Sequence, residues 1–124
     1  MIVGKVNANY EPIIRLDICN IDNEQVYEQP AIVDTGFNGW LSLPPNFIAV
    51  LNLPWKRRGR ATLGDGSECI FDVYEATIIW DKQRVVIPID AAESEPLVGM
   101  SLMAGYTLTV EAIGSALNNS GVSN

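Results

Sequence analysis

Apolar residues fall on every second position over much of this chain, in runs too short for long helices and separated by turn-forming residues. Ile14, Leu16 and Ile18 alternate with Arg15 and Asp17, and Val6, Ala8 and Tyr10 alternate with Lys5, Asn7 and Asn9. A period of two sends alternate side chains to opposite faces of a strand. Such a chain buries its apolar faces by packing several short strands around one core. Asp22-Asn23 supplies a turn and Gln25 to Tyr27 begins a return strand, which predicts a hairpin. Pro30 then interrupts the strand pattern, and the apolar run Ala31 to Val33 follows it.

The second half reads in the same way. Trp40 to Leu43 is strand-like, and Pro44-Pro45 opens a helix of one or two turns over residues 46–51, closed by Pro54. Gly64-Asp65-Gly66 between Arg60 to Leu63 and Glu68 to Val73 predicts a second hairpin. Further strands are expected over residues 74–80, 84–89 and 106–110, with a short helix over 101–104. The small polar stretch 114–124 reads as a disordered tail. The expectation is one all-β domain over residues 1–113, with one or two short helices.

Composition narrows the function. The 124 residues suit one domain, and 48% apolar against 19% charged residues is a globular balance. Acidic residues outnumber basic ones 15 to 8, a net charge of -7 that disfavours nucleic acid. The basic cluster Lys56-Arg57-Arg58-Gly59-Arg60 is read as a solvated loop. The chain has no His, which excludes histidine-dependent nucleophilic triads and His-ligated zinc. Cys19 and Cys69 match no metal-ligand spacing and read as reduced thiols. With no signal-peptide pattern and no apolar run of membrane length, the expected location is the cytoplasm, with no membrane partner. The sequon Asn118-Asn119-Ser120 carries no weight without secretion. Asp90 and Glu93-Ser94-Glu95 read as a solvated loop without calcium-loop spacing, and no cofactor is implied.

The run Ala31-Ile32-Val33-Asp34-Thr35-Gly36 delivers one Asp from an apolar strand into a Thr-Gly turn. A carboxylate so placed is costly to bury unless hydrogen bonds or a shared proton offset the cost. On the tripeptide alone, turn capping by Asp34 is the better reading. The context changes that: a second apolar-glycine run, Pro96-Leu97-Val98-Gly99, follows the Gly64 to Gly66 hairpin and leads into Met100-Ser101-Leu102.

In this order, from about Gln29 to Glu111, the motifs resemble the retropepsin-like aspartic proteases, single-domain homodimeric relatives of pepsin. The resemblance implies a closed, barrel-like acid-protease fold with one lobe per chain. It implies that Asp34 is the catalytic aspartate and that Thr35 bonds across a homodimer. Gly36 would let the backbone approach substrate. Leu63, Gly64, Asp65, Gly66 and Ser67 would form a flap over bound peptide, with Phe37 near the substrate. Asp65 is more readily a turn residue, and an acidic flap tip would disfavour acidic substrates. Residues 96–99 would pack behind the catalytic loop, residues 100–104 would form the helix after it, and the strand over 106–110 would help build the dimer interface.

Two carboxylates sharing one proton activate water for attack on a peptide carbonyl. Two like charges about 3 Å apart at an effective dielectric of about 20 repel by about 5 kcal/mol, enough to keep one carboxyl protonated. The chain holds one Asp-Thr-Gly, so the second aspartate must come from a second copy. The implied activity is a homodimeric aspartic endopeptidase acting on peptides or unfolded protein. The alternative is a dimeric peptide-binding or scaffold module of the same fold with little turnover. A third reading is a structural dimer without peptide affinity. Phe37 stands where many relatives carry Ser, Thr or Ala, and it has no hydroxyl to favour an ionised carboxylate. A mildly acidic to neutral pH optimum is therefore expected. Met100 stands where retroviral members often carry an Arg that supports the dimer. The N-terminal hairpin is longer than in minimal members. Trp40, Trp55 and Trp80 read as core or edge packing, with Trp40 and Phe37 as candidate pocket walls.

Overall fold

A computed structural model describes residues 1–20 and 25–112, with the backbone of residues 119–123. Strand β1 (Ile2–Val6) stops short of the alternation read through Tyr10. The side chain of Asn7 takes over there: its Oδ1 accepts the Asn9 and Glu11 N–H groups at 3.0 and 2.9 Å, and Tyr10 adopts φ 60°. An Asn bonding its own following backbone makes a turn more favourable than continued pairing. Strands β2 (Pro12–Cys19) and β3 (Val26–Val33) pair antiparallel from Ile13 opposite Ile32 to Cys19 opposite Val26. The turn assigned to Asp22-Asn23 lies outside the described residues.

Pro30 does not interrupt β3; it sits inside it, opposite Arg15. The N–H of Ile32 points away from β2, to the Pro96 carbonyl at 2.9 Å. By the period of two, position 30 points its nitrogen the same way, where a proline leaves no ladder bond broken.

Strand β4 (Leu41–Leu43) leads into helix α1 (Pro45–Leu51), where Pro45 occupies the first turn and Asn52 closes the helix at φ 51°. The basic cluster does not form a loop. It lies within β5 (Trp55–Thr62), opposite acidic residues of β6 (Glu68–Trp80). Lys56 pairs with Glu75, Arg58 with Asp72 and Arg60 with Glu68, at 3.7, 3.9 and 3.5 Å. Cross-strand charge complementarity is what admits a basic run to an edge strand. The two strands expected over residues 68–73 and 74–80 are one strand of 13 residues.

Strand β7 (Gln83–Ala91) returns through a turn in which Asp81 and Lys82 take φ 48° and 69°. Strand β8 (Leu97–Val98), helix α2 (Met100–Met103) and strand β9 (Thr107–Val110) follow. Asn119–Ser123, within the stretch read as a disordered tail, instead forms strand β10 between β1 and β9. Backbone pairing on both sides supplies what its small side chains do not.

β6, β7, β4, β8, β3 and β2 are neighbours in that order, and β2 pairs back onto β6, closing a ring. β5 extends one side of the sheet, and β1, β10 and β9 extend the other. Ile14, Leu16 and Ile18 of β2, Leu41 of β4, Leu51 of α1 and Ile89 of β7 pack inside at 1% exposure or less. The all-β expectation with two short helices therefore stands. Among the described residues no helix is long and apolar enough to cross a membrane.

Candidate active site

The parallel pairing of β3 with β8 positions Asp34. Ile32 and Val33 lie beside Leu97 and Val98, and the Asp34 N–H donates to the Val98 carbonyl at 2.9 Å. The chain then turns: Asp34 Oδ1 accepts the Gly36 N–H at 2.9 Å, and the Phe37 N–H donates to the Asp34 carbonyl at 3.1 Å. The carboxylate thus orders its own loop and leaves its second oxygen outside that bond. Asp34 is half-buried, and Thr35 and Gly36 are exposed.

The second apolar-glycine run clamps this loop from behind. The Gly99 N–H donates to Trp40 O at 2.9 Å, Met100 N–H to Phe37 O at 2.8 Å and Ser101 N–H to Gly39 O at 3.1 Å. Ser101 Oγ also donates to Asn38 O. A Cβ on Gly99 would lie 2.1 Å from the Gly39 carbonyl oxygen and 2.7 Å from the Phe37 ring. A Cβ on Gly39 would lie 2.5 Å from the same ring. The two glycines admit close backbone contact and seat Phe37 between them.

A groove of about 660 Å³ opens in front of the loop. Asp34, Gly36 and Phe37 line one side, and Ala61, Cys69, Ile70 and Phe71 of the β5–β6 hairpin line the other. Gly59 makes room for the Phe71 ring, which comes within 2.4 Å of where a Cβ would stand. The arms of this hairpin, whose tip the resemblance assigns to a flap, form the wall. Leu63, Gly64, Asp65 and Gly66 sit at the exposed tip, off the groove. The tip is ordered locally: Asp65 Oδ1 accepts the Ser67 N–H and Oγ–H at 2.9 and 2.5 Å, and Gly66 takes φ 86°. Those two Ser67 bonds hold the Asp65 carboxyl below the ordinary carboxylate range.

Asp90 corrects the sequence reading. It lies not in a solvated loop but in β7, half-buried on the groove floor beside Ser42 of β4. Burial raises its pKa, and the Arg57 charge partly opposes that rise. Ser42 is 3% exposed, and its Oγ has no hydrogen-bond partner among the described residues. Asp72 also reaches the groove, where it accepts the Trp55 Nε1–H at 3.0 Å. The expected strand ends at residue 89, which puts Asp90 in the loop, whereas β7 runs on to Ala91 and places Asp90 on its non-core face. That face meets the hairpin rather than water.

Of the tryptophans, Trp80 is buried and stacks edge-on against Tyr106 with ring centroids 5.6 Å apart. Trp40 and Trp55 are exposed, and neither lines the groove. Among the described residues no group of His, Cys, Asp or Glu is arranged to hold a metal ion.

No sequence-family profile matches the chain, and no curated protein matches it by sequence. Its fold is similar to that in a crystal structure of a retropepsin-like aspartic protease from Rickettsia conorii, with a TM-score of 0.59 and 14% sequence identity, covering 99% of this chain and 91% of that one. At that identity the likeness is one of fold, a ring-like sheet of strands.

Proposed function

We propose that the chain is an aspartic endopeptidase that works as a homodimer. The observation that carries this reading is the placement of Asp34: a carboxylate in a hydrogen-bond-clamped loop at the mouth of a groove of about 660 Å³. One chain brings one such aspartate, and general acid–base activation of water needs two groups in opposite protonation states. Two copies meeting at a twofold axis supply the pair. Exposed Thr35 in an otherwise tied loop fits a residue reserved for the partner copy. One Asp34 carboxylate takes the proton of the water as it attacks the carbonyl, while the protonated Asp34 donates to the carbonyl oxygen. The pair titrates as a unit.

The test is digestion of a diverse peptide pool from pH 3 to pH 8 by wild type and Asp34→Asn, with sedimentation of both. Cleavage by a dimer and its loss in Asp34→Asn is the expected result, with an optimum nearer neutral than pH 3. Cleavage by a monomer, or cleavage that survives Asp34→Asn, would refute the mechanism. A peptide-binding dimer without turnover would replace it with a binding module.

A further inference from the structure

We propose that Asp90 and Ser42 form a subsite that takes the side chain of a lysine or arginine from an extended peptide in the groove. The proposal rests on the protease reading above and deepens it. Asp90 and Ser42 are direct neighbours in the parallel pairing of β4 and β7, so their side chains leave the sheet on the same face. Both line the groove. Ser42 Oγ is buried, has no partner among the described residues and stands between Leu41 and Leu43, which are fully buried. A hydroxyl left unpaired at such depth is unfavourable, and a ligand group that bonds it removes the penalty.

The charge around this floor has one sign. Asp34, Asp72, Asp90 and Glu93 line the groove, and no Lys or Arg is among its lining residues. The carboxylates differ in what already engages them. Asp34 accepts the Gly36 N–H, and Asp72 accepts the Trp55 indole N–H and lies 3.9 Å from Arg58. No side-chain hydrogen bond among the described residues reaches Asp90. The cation that acts on it is Arg57, exposed on β5 and outside the groove lining. Phe71, Ile70 and Pro45 present apolar surface along the same groove, which suits the methylene stem of a basic side chain. The head would then meet a carboxylate and a hydroxyl in a partly desolvated floor, where charge-assisted bonds are strongest. The carboxylates do not converge on a metal-binding arrangement, so a side-chain cation is the occupant that fits.

The experiment uses the full chain as Asp34→Asn, which stops turnover, and dansylated octapeptides that differ at one scanned position. That position carries lysine, arginine, norleucine or glutamate, and binding is read by fluorescence anisotropy. At one position, lysine and arginine peptides should bind about tenfold more tightly than the norleucine peptide, and the glutamate peptide more weakly than all three. Adding Asp90→Asn should bring lysine and norleucine to within about threefold, and the preference in the parent should weaken with added salt. Ser42→Ala should reduce the lysine preference without reversing it. It serves as the second test if Asp90→Asn does not melt cooperatively. Peptide binding without a basic preference, or a preference that survives Asp90→Asn, would overturn the subsite and leave the peptidase reading standing. If no peptide binds, both fall.

Discussion

Replacing Gly99 with Ala tests the clamp behind the Asp34 loop with little ambiguity. Gly99 has φ -100° and ψ 175°, a conformation any residue adopts, so backbone strain plays no part. The new methyl group would lie 2.1 Å from the Gly39 carbonyl oxygen, 2.8 Å from the Gly39 carbonyl carbon and 2.7 Å from the Phe37 ring. Relief requires one segment to slide past the other by about 1 Å, because the nearest obstacle is main chain. Gly99 N–H to Trp40 O, Met100 N–H to Phe37 O and Ser101 N–H to Gly39 O hold the segments together. Losing two of the three at about 1 kcal/mol each, with about 1 kcal/mol of overpacking, gives a loss of about 3 kcal/mol. Restricting the unfolded chain returns about 0.5 kcal/mol. The net of about 2.5 kcal/mol corresponds to a fall in Tm of about 10 °C at this chain length. Urea denaturation at fixed protein concentration is the assay, because self-association would make the midpoint concentration-dependent. Gly64→Ala is the control: its Cβ would meet nothing within 4 Å, so stability should stay within about 0.5 kcal/mol of wild type. A Gly99→Ala midpoint indistinguishable from that of Gly64→Ala would refute the account of the clamp.

Three other outcomes are expected. Thr35→Ala should leave the unfolding of the single chain nearly unchanged but weaken self-association about tenfold, as read by sedimentation over a concentration series. Arg60→Ala removes an exposed pair at 3.5 Å with Glu68 and should shift the urea midpoint by less than about 0.5 kcal/mol, despite its place in the basic cluster. Asp90→Asn should be more stable than wild type at pH 7 and equal to it at pH 3, as measured by urea midpoints at both pH values. Burial raises the folded-state pKa of Asp90, so its stabilising contribution is full below the ordinary value and is lost as pH rises through the folded one.

The sequence was most legible where a local rule decides the outcome. Ile14, Leu16 and Ile18 alternate because β2 has one buried face, and they lie at 1%, 1% and 0% exposure. Pro45 opens α1 because a helix's first turn needs no N–H there, and Gly64 to Gly66 closes the hairpin because one residue must take positive φ. It was least legible where a partner distant in sequence decides. Asn119–Ser123 carries no apolar alternation, yet it pairs because β1 and β9, from opposite ends of the chain, leave a slot between them. The basic run in β5 is read correctly only once the register puts Glu68, Asp72 and Glu75 near it. Val73 and Tyr74 carry no turn signal, and residues 68–80, expected as two strands, form one that pairs with β5 over its first half and with β7 over its second. The Asp34 loop was legible as a motif, but the groove wall was not: Phe71 and Asp90 reach it through the ring closure and the hairpin that covers it.

The unfavourable choices in this chain gather on one surface. Leu41 and Leu43 of β4 fill the ring interior, while Ser42 between them turns to the groove face, where its buried hydroxyl has no partner among the described residues. Ile87 and Ile89 of β7 likewise point inward, while Asp90 beside them faces the groove with a carboxyl that burial opposes ionising. A ring selected for stability alone would place an apolar or hydrogen-bonded group at both positions. Both residues line the groove into which Asp34 opens, and stability is commonly given up where a binding surface must keep groups ready for a ligand. Stability and selectivity should therefore move in opposite directions at these two positions and together at Gly99, where the clamp serves the fold and the loop alike. Ser42→Ala gives the sharpest form of that contrast: removing one buried hydroxyl that has no partner among the described residues should raise the unfolding free energy measured in urea by about 1 kcal/mol while narrowing the preference for basic peptides.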